Sequence, residues 1–309
     1  MRISERHSND PRAPLAIIGA GALGCLFAVL FSPVCPVLVY DIDSFKREII
    51  ASEGISCGSF HCQPRVCSGL AQAAKAKLLL ILVKSPHTAG LARDLAPYLQ
   101  PDTKILSLQN GLGNLEDLAD FLPRESLFSG VTYQAARELI PGQIQHNGSG
   151  PTYFAASSPG QSQGEAEIAA LFKAAGMVAI VPANIEEERW RKLIVNAAIN
   201  PVAAVYRKEN GLLPQLPAAR RDMEDLTRES VLVAQALGFA LTWETIWEQV
   251  LAVCTATAAN RASMLADVEA RRLTEIEAIT GAIVRLGEKH ALNLPVSRRF
   301  LHCIEKYSN

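Results

Sequence analysis

The residues best placed to do chemistry form a stripe within the segment Glu188–Pro201. Lys192, Asn196 and Asn200 recur at i, i+4 and i+8, a spacing that stacks three side chains on one side of a helix. The rest of the segment from Leu193 to Ile199 is apolar, and amides in such a helix need hydrogen-bonding partners. The stripe therefore predicts a surface that binds a polar ligand. A solvent-facing helix edge is the alternative, although such an edge usually carries Glu and Lys.

A glycine loop earlier in the chain predicts a site for the phosphates of a dinucleotide. Gly19-Ala20-Gly21-Ala22-Leu23-Gly24 follows the apolar run Leu15–Ile18 and opens a helix predicted over Ala22–Phe31. In such a strand–loop–helix unit the glycines permit the turn, the approach of the pyrophosphate and close packing of helix on strand. The free N–H groups and the positive end of the helix dipole then attract phosphates. A glycine-rich turn without a ligand is the alternative.

The end of the second predicted strand bears on how the adenosine ribose is bound. Val37–Tyr40 runs into Asp41 and Asp43, and Lys46 and Arg47 follow closely. A carboxylate at Asp41 would accept hydrogen bonds from a ribose 2′-hydroxyl and repel a 2′-phosphate, which favours NADH. Lys46 or Arg47 could instead bind the 2′-phosphate of NADPH, and the residues alone leave both cofactors open.

Two further strand ends carry polar residues. Lys84 follows Leu78–Val83, and Asn110 follows Lys104–Leu108. Ligands of parallel α/β sheets bind at the carboxyl ends of the strands, so both side chains are candidates for the same crevice. A solvated loop lysine is the alternative for Lys84.

A second polar group lies near the C-terminus, where residues 258–286 are predicted to form a helix. Asn260 and Ser263 share a face of that helix, and Glu275 lies about 60° from Asn260 at 3.6 residues per turn. A single long helix could present all three to one cleft, although a surface glutamate is the commoner case for Glu275.

The remaining pattern predicts an α/β fold with two domains. Up to residue 182, apolar strands alternate with helices, which indicates βαβ units and a mostly parallel, Rossmann-type sheet. No strand is predicted after Pro182, and helices are expected at 185–206, 217–237, 242–251, 258–286 and 296–306. We therefore expect a flexible tail over 1–13, a dinucleotide-binding domain over 14–183 and an all-helical substrate and catalytic domain over 184–309.

Composition favours a globular protein that acts on a small molecule. The chain has 309 residues, of which 49% are hydrophobic and 20% charged, and its formal net charge is -1. This balance indicates no basic face for a nucleic acid. The apolar run Leu15–Phe31 is short for a membrane span and is followed by Pro33 and Pro36. We expect a cytoplasmic protein without a nucleic-acid or membrane partner.

The seven cysteines are an odd number in a long chain, so a disulfide framework is not expected. Cys57, Cys62 and Cys67, with His61 among them, are conceivable as a metal site. Their spacing lacks the close C-x-x-C pairs of structural zinc sites, so reduced thiols are the preferred interpretation and no metal is predicted.

Short motifs over residues 15–305 together resemble the ketopantoate reductase family. In chain order they are the glycine loop, Val83-Lys84, Gln109-Asn110-Gly111-Leu112-Gly113, Trp190-Arg191-Lys192-Leu193 with Asn196, Asn200 and Pro201, Asn210-Gly211, Asn260 with Ser263-Met264-Leu265 and Asp267, and Thr274-Glu275-Ile276. The resemblance implies a Rossmann-type domain, an all-helical C-terminal domain and an active site in the cleft between them. It further implies the reduction of ketopantoate to pantoate, a step toward pantothenate and coenzyme A.

The resemblance also implies roles for individual residues. Lys192 would be the general acid. The substrate would be bound by Asn110, Asn196, Asn200, Asn210 and Ser263. Besides the glycine loop and Asp41, the residues that bind the cofactor or orient the reacting groups would be Lys84, Asn110, Ala136 and Glu275. NADPH is the cofactor that the resemblance implies, and NADH is the alternative because Asp41 and Asp43 stand where the family often has arginine.

This chemistry is physically reasonable. Hydride transfer to a ketone builds negative charge on its oxygen, which a positioned ammonium group can stabilise and protonate. Burial or nearby cations lower the pKa of a lysine toward neutrality. The same residues would serve another bulky 2-oxo acid, and a non-catalytic nicotinamide-binding sensor is a further alternative. A 2-oxo acid is the expected small-molecule partner, and a homodimer is compatible with the chain.

Overall fold

The computed structural model describes residues 15–308, so the tail expected over 1–13 lies outside the described residues. The strands, in chain order, are β1 (Leu15–Ile18), β2 (Val37–Tyr40), β3 (Ile55–Cys57), β4 (Phe60–Cys62), β5 (Arg65–Val66), β6 (Leu78–Ile81), β7 (Lys104–Ser107), β8 (Leu127–Thr132), β9 (Ala135–Ile140), β10 (Gln143–Gly148), β11 (Thr152–Ala156) and β12 (Ala179–Ile180). The helices are α1 (Ala22–Phe31), α2 (Ser44–Glu53), α3 (Leu70–Ala73), α4 (Thr88–Leu95), α5 (Asn114–Ala119), α6 (Ser162–Ala174), α7 (Ile185–Tyr206), α8 (Pro217–Ala236), α9 (Trp243–Ala256), α10 (Ser263–Glu269), α11 (Ala282–Lys289) and α12 (Pro295–Ser308).

The main sheet has eight strands in the order β12-β11-β8-β7-β6-β1-β2-β5. Neighbouring strands are parallel except β8 and β11, which are antiparallel. Alternate residues of β1 enter different apolar clusters, Leu15 and Ile17 on one face and Ala16 and Ile18 on the other. Because helices cover both faces, the central strands are continuously apolar, and the predicted α/β fold is confirmed.

A second sheet is not predicted from the sequence. It has four strands in the order β4-β3-β10-β9, and its apolar side chains pack with those of α1 in one core cluster. Strands of three residues carry no readable alternation, and every residue of β9 is exposed or only partly buried. Of these strands, sequence patterning identifies only the segment around β10 as β structure. This sheet places the hairpin of β9 and β10 against α1, the helix that follows the glycine loop.

After Ile180 the described residues contain no strand, as expected. α7 begins where the Asn184 side chain accepts hydrogen bonds from the backbone N–H groups of Glu186 and Glu187. These acidic residues in the first turn also suit the helix dipole. The predicted bounds of α7 agree with the structure. The domain boundary that we propose at residue 183 lies between β12 and α7.

The prediction of one helix over 258–286 is wrong. In the structure α10 is a short helix, and a π-helical turn over Glu277–Gly281 precedes α11. The backbone N–H groups of Asn210 and Gly211 donate to the carbonyl oxygens of Asn260 and Ala258, which takes these carbonyls away from a helix ladder. After α10 the chain turns through Arg271, whose φ is +50°. Tertiary hydrogen bonds therefore override a sequence rich in helix formers.

Three findings concern the wider predictions on thiols, metals and membranes. All seven cysteines are free thiols, and five of them are buried. Within residues 15–308 no group of three His, Cys, Asp or Glu side chains is arranged to hold a metal ion. None of the helices in this range is long and apolar enough to cross a membrane.

Candidate active site

The glycine loop connects β1 to α1 in the form that a dinucleotide requires. Gly19 has a φ of +102°, and a Cβ at this position would lie 2.7 Å from the backbone nitrogen of Val83. Only glycine fits this turn without strain, because the conformation is left-handed and the neighbouring strand is close.

The N-terminus of α1 is open for an anion. Gly21 is the N-cap residue, and no side chain caps the helix. A Cβ on Gly21 would meet nothing within 4 Å, so the backbone is accessible there. The first N–H groups of a helix have no partner in the helix and carry the positive end of its dipole. The residues present therefore fit the pyrophosphate of a nicotinamide dinucleotide.

Asp41 is attached to this loop. Its Oδ2 accepts a hydrogen bond from the Ala20 N–H at 2.7 Å, and its Oδ1 accepts one from the Asp43 N–H at 3.0 Å. The Asp43 carboxylate caps α2 by accepting from the N–H groups of Phe45 and Lys46. The strand-end carboxylates thus hold the ribose end of the predicted cofactor site in place.

Lys192 lies at the centre of a hydrogen-bonded network that joins the sheet to the helical region. Its ammonium group donates to Oδ1 of Asn110 at 2.9 Å and to the carbonyl oxygen of Thr132 at 2.8 Å. An ammonium group has three N–H donors, so one donor remains beyond these two contacts within residues 15–308. That donor is available to an oxygen atom of a substrate.

The network continues from Asn110 to Glu275. The Asn110 Nδ2 donates to Oε2 of Glu275 at 3.2 Å. The Ser85 N–H donates to Oε1 of the same carboxylate at 3.3 Å, and the Ser85 hydroxyl lies 3.2 Å from that oxygen. Gly111 permits the close approach of the segments that carry Asn110 and Glu275, because a Cβ at Gly111 would lie 2.5 Å from the carbonyl oxygen of Ala278.

Burial and charge set the protonation of this pair. Burial lowers the pKa of Lys192 to about 8, and the negative charge of Glu275 acts in the opposite direction. Burial raises the pKa of Glu275, whereas hydrogen bonds from Asn110 and Ser85 and the charge of Lys84 lower it. Lys192 can therefore give up a proton near neutral pH, as a general acid must.

Lys84 also lies at the boundary between the sheet and the helices. Its ammonium group is 2.6 Å from Oδ1 of Asp267 and donates to the Leu273 carbonyl oxygen at 2.8 Å. Asp267 is buried and also pairs with Arg272 at 3.1 Å. The solvated-loop interpretation of Lys84 is therefore wrong, since this side chain joins two distant segments.

The asparagine stripe is present on α7 with unused amides. Asn196 is half-buried and Asn200 is buried, and neither side-chain amide has a hydrogen-bond partner within residues 15–308. Asn210 is buried too; its Nδ2 donates to the Thr257 hydroxyl at 2.9 Å, while its Oδ1 has no partner among the described residues. Free polar atoms in such surroundings are suited to a polar ligand.

The structure relates the other predicted residues to the site less directly. Ser263 is the first residue of α10, is exposed, and forms no hydrogen bond with Lys192 in the described part of the chain. Ala136 lies on β9 and packs in the core cluster that contains α1. The predicted grouping of Asn260, Ser263 and Glu275 on one helix is wrong, because Glu275 follows a turn after α10.

Sequence reasoning missed three contributors to the site. Ser85 directly follows Lys84 at a strand end, so its position is a usable signal. Thr132 contributes a backbone carbonyl oxygen, which residue type does not reveal. Glu138 lies on the unpredicted strand β9 and contacts Lys46 at 2.7 Å.

Comparisons with known proteins agree with this geometry. The family described as "Ketopantoate reductase PanE/ApbA" matches residues 15–159, and its C-terminal counterpart matches residues 184–308. A 2-dehydropantoate 2-reductase of Halobacterium salinarum is 34% identical over 76% of this chain and 77% of its own length. Another of Archaeoglobus fulgidus is 32% identical over 93% of this chain and 95% of its own length.

A solved structure shows the same fold. The ternary structure of D-mandelate dehydrogenase with NADH and anilino(oxo)acetate has a TM-score of 0.90 at 23% identity, and the match covers 95% of this chain and 98% of that chain. The family matches cover both the glycine loop and the helical region that carries Lys192. The chain therefore belongs to the ketopantoate reductase family.

Proposed function

We propose that the chain is a 2-dehydropantoate 2-reductase, which reduces the 2-oxo group of ketopantoate to the hydroxyl of pantoate in the pathway to pantothenate and coenzyme A. The observation that carries the proposal is the ammonium group of Lys192, which Asn110 and Thr132 hold with one donor left over. The sequence relatives named 2-dehydropantoate 2-reductase support the substrate.

A nicotinamide cofactor bound at the glycine loop would supply the hydride. As the ketone oxygen of the substrate gains negative charge, the free N–H donor of Lys192 stabilises that charge and delivers the proton. Asn110 fixes the position of the ammonium group, and Glu275 fixes Asn110 in turn. Lys192 is the proposed general acid, and Asn110 and Glu275 orient it.

The substrate is proposed to lie along the polar stripe of α7. The unpartnered amides of Asn196 and Asn200 can hold a carboxylate and a hydroxyl group without adding charge. Asn210 offers a buried carbonyl oxygen without a partner in the described chain, and Ser263 is proposed to complete the substrate contacts. The cofactor would be held by the loop from Gly19 to Gly24 together with Asp41, Lys84, Asn110, Ala136 and Glu275.

Residues 14–183 are proposed as the cofactor domain and 184–309 as the substrate and catalytic domain. The family resemblance implies NADPH as the cofactor, and the carboxylates of Asp41 and Asp43 support NADH as the alternative. A cytoplasmic location remains our expectation for an enzyme of this pathway.

The second candidate is the reduction of a different 2-oxo acid with the same residues. One observation favours it: the similar fold of D-mandelate dehydrogenase serves a different 2-oxo acid ligand, anilino(oxo)acetate. Lys192 and the asparagines recognise a 2-oxo group and polar substituents, which several 2-oxo acids share. An assay must therefore determine which side chain the 2-oxo acid substrate carries.

The test follows the absorbance of NADPH and of NADH, separately, with purified protein and ketopantoate. We expect that at least one of the two cofactors is oxidised, and that this oxidation requires ketopantoate. A panel of bulky 2-oxo acids, including phenylglyoxylate, is measured in parallel. Faster turnover of another acid would transfer the assignment to the second candidate. Cofactor binding without oxidation in any mixture would refute reductase function and leave a nicotinamide-binding sensor.

A further inference from the structure

The ribose end of the cofactor site combines Asp41 with an ion pair between Lys46 and Glu138. We propose that this end selects a 2′-hydroxyl, and hence NADH over NADPH, and that Glu138 sets the selection by holding Lys46 away from a 2′-phosphate. The inference rests on the proposed function only for the presence of a nicotinamide cofactor at the glycine loop.

Asp41 retains the capacity to accept hydrogen bonds from a ribose. Its two carboxylate oxygens each accept one backbone N–H, from Ala20 at 2.7 Å and from Asp43 at 3.0 Å. An ionised carboxylate has about four lone-pair sites, so about two remain. The bond to Ala20 fixes the carboxylate against the glycine loop, where the cofactor must pass.

Lys46 is already engaged. Its Nζ lies 2.7 Å from Oε1 of Glu138, and the two side chains are only 15% and 19% exposed. A 2′-phosphate that recruited Lys46 would have to break this pair. It would then leave the Glu138 carboxylate partly buried, without its cation and near the new negative charge, which is strongly unfavourable.

Arg47 is engaged as well. One guanidinium nitrogen donates to the carbonyl oxygens of Asp41 and Ile42, and the group lies 5.4 Å from the centroid of the Tyr40 ring. The cation therefore stabilises the end of β2 itself. Only the N–H groups of Arg47 other than those of this nitrogen remain for a phosphate.

The net charge at the ribose end of the site disfavours a 2′-phosphate. Asp41, Asp43 and Glu138 are carboxylates, whereas Lys46 and Arg47 are the cations. A phosphate monoester adds roughly two negative charges near pH 7, which this acidic group would repel. A 2′-hydroxyl adds no charge and can donate to Asp41.

The thiol of Cys25, on α1, contacts the glycine loop and feels the charges of this ion pair. The Cys25 thiol donates to the carbonyl oxygen of Ala20 at 3.2 Å. Burial, together with the charges of Glu138 and Asp41, raises the pKa of this thiol to about 12, although the charge of Lys46 lowers it. All three side chains therefore act on a thiol that touches the loop.

The first test is calorimetric titration of the unchanged chain with NADH and with NADPH, without substrate. We expect NADH to bind at least about tenfold more tightly, because its 2′-hydroxyl can donate to Asp41 whereas a 2′-phosphate is repelled by the carboxylates. Equal binding, or tighter binding of NADPH, would overturn the inference. This result does not depend on whether ketopantoate is the substrate, so it can fail while the proposed function stands.

The second test frees Lys46 by the substitution Glu138→Gln. We expect the affinity for NADPH to rise about tenfold while that for NADH stays within about twofold, and the further change Lys46→Met to remove the gain. The matched control is Glu167→Gln, which breaks a 2.8 Å ion pair with Lys104 between α6 and β7. An unchanged NADH-to-NADPH ratio in folded Glu138→Gln protein would exclude Glu138 as the determinant.

Discussion

Lys192 must carry its proton when it contacts the ketone oxygen of the substrate. Its surroundings set the pH range in which it is protonated. Burial lowers its pKa to about 8, so the ammonium form predominates at neutral pH and the neutral amine predominates in alkaline solution. Asn110 and Thr132 both accept hydrogen bonds from the ammonium group. The reactive form of Lys192 is therefore the form that the structure binds.

The pH dependence of the reduction follows from this protonation. We expect kcat/KM for the 2-oxo acid to fall as the pH rises through about 8, because Lys192 then loses the proton that it must donate. The measurement is the initial rate of cofactor oxidation from pH 6 to about 10 at saturating cofactor. A rate that increases through this range would contradict the assigned role.

Glu275 affects the pH at which Lys192 loses its proton. Its negative charge raises the pKa of Lys192, so Glu275→Gln should lower that pKa and shift the alkaline decrease of kcat/KM to lower pH. The amide preserves the shape of the side chain. The pH profile of this variant is compared with that of Ser85→Ala, which removes the hydroxyl contacts to Glu275 and to the Asn110 carbonyl oxygen and keeps the Glu275 carboxylate. A shift to higher pH for Glu275→Gln would refute the electrostatic coupling.

Residue types alone predict part of this site. The spacing of Lys192, Asn196 and Asn200 is enough to identify one helix face. Thr132 could not be predicted, because it contributes a backbone carbonyl oxygen. Spacing on a single helix also misplaced Glu275, whose position depends on the turn that follows α10.

At the scale of elements, α1 and its loop provide a matched pair of substitutions. Gly19→Ala should destabilise the fold by about 1–3 kcal/mol, because a residue with Cβ is strained at positive φ and the Val83 backbone is close. Gly21→Ala should leave the free energy of unfolding nearly unchanged, since its Cβ meets open space. It should still weaken cofactor binding by placing a methyl group on the approach to the helix N-terminus.

Urea unfolding and calorimetric titration with the cofactor measure the two effects separately. If Gly21→Ala bound the cofactor as tightly as the unchanged chain, the helix N-terminus would not be the phosphate site. Equal stability of Gly19→Ala and the unchanged chain would contradict the strained turn.

α7 provides the test of the substrate stripe. Asn196→Ala and Asn200→Ala should raise KM for the 2-oxo acid by about tenfold each, because each loses a hydrogen bond to a charged or polar substrate group. The melting temperature should change little, since neither amide bonds to another described residue. A lower melting temperature with an unchanged KM would show that the stripe is structural.

Helix periodicity predicts α7 well and residues 258–286 badly, for a physical reason. α7 has a side-chain cap at Asn184 and an apolar surface that neighbouring helices cover. In 258–286, by contrast, the carbonyl oxygens of Ala258 and Asn260 are taken by N–H groups of the turn at 210–211. Those long-range bonds leave no trace in local periodicity. The sequence did not predict β9 because none of its residues is fully buried, so it shows no apolar alternation.

At the scale of the whole molecule, the site exists only where the sheet and the helices meet. Lys192 is 82 residues from Asn110, and Asn110 is 165 residues from Glu275. The Lys84–Asp267 ion pair joins the same two regions. The alternation of strands and helices predicts the sheet region, and the absence of strand patterns after Pro182 predicts the helical region. The motifs predict which residues form the site. Their network of contacts depends on the packing of one region against the other, which no local pattern encodes.

The most direct measurement is the ketopantoate-dependent oxidation of the cofactor by the Lys192→Ala variant. Cofactor binding is verified by titration, and Lys208→Ala, an exposed lysine just after α7, is the control. We predict that turnover falls by about 10² to 10⁴, the usual contribution of a general acid, while cofactor binding and the control remain unchanged. Turnover of Lys192→Ala within about twofold of the unchanged chain would remove Lys192 from the chemistry and contradict the account.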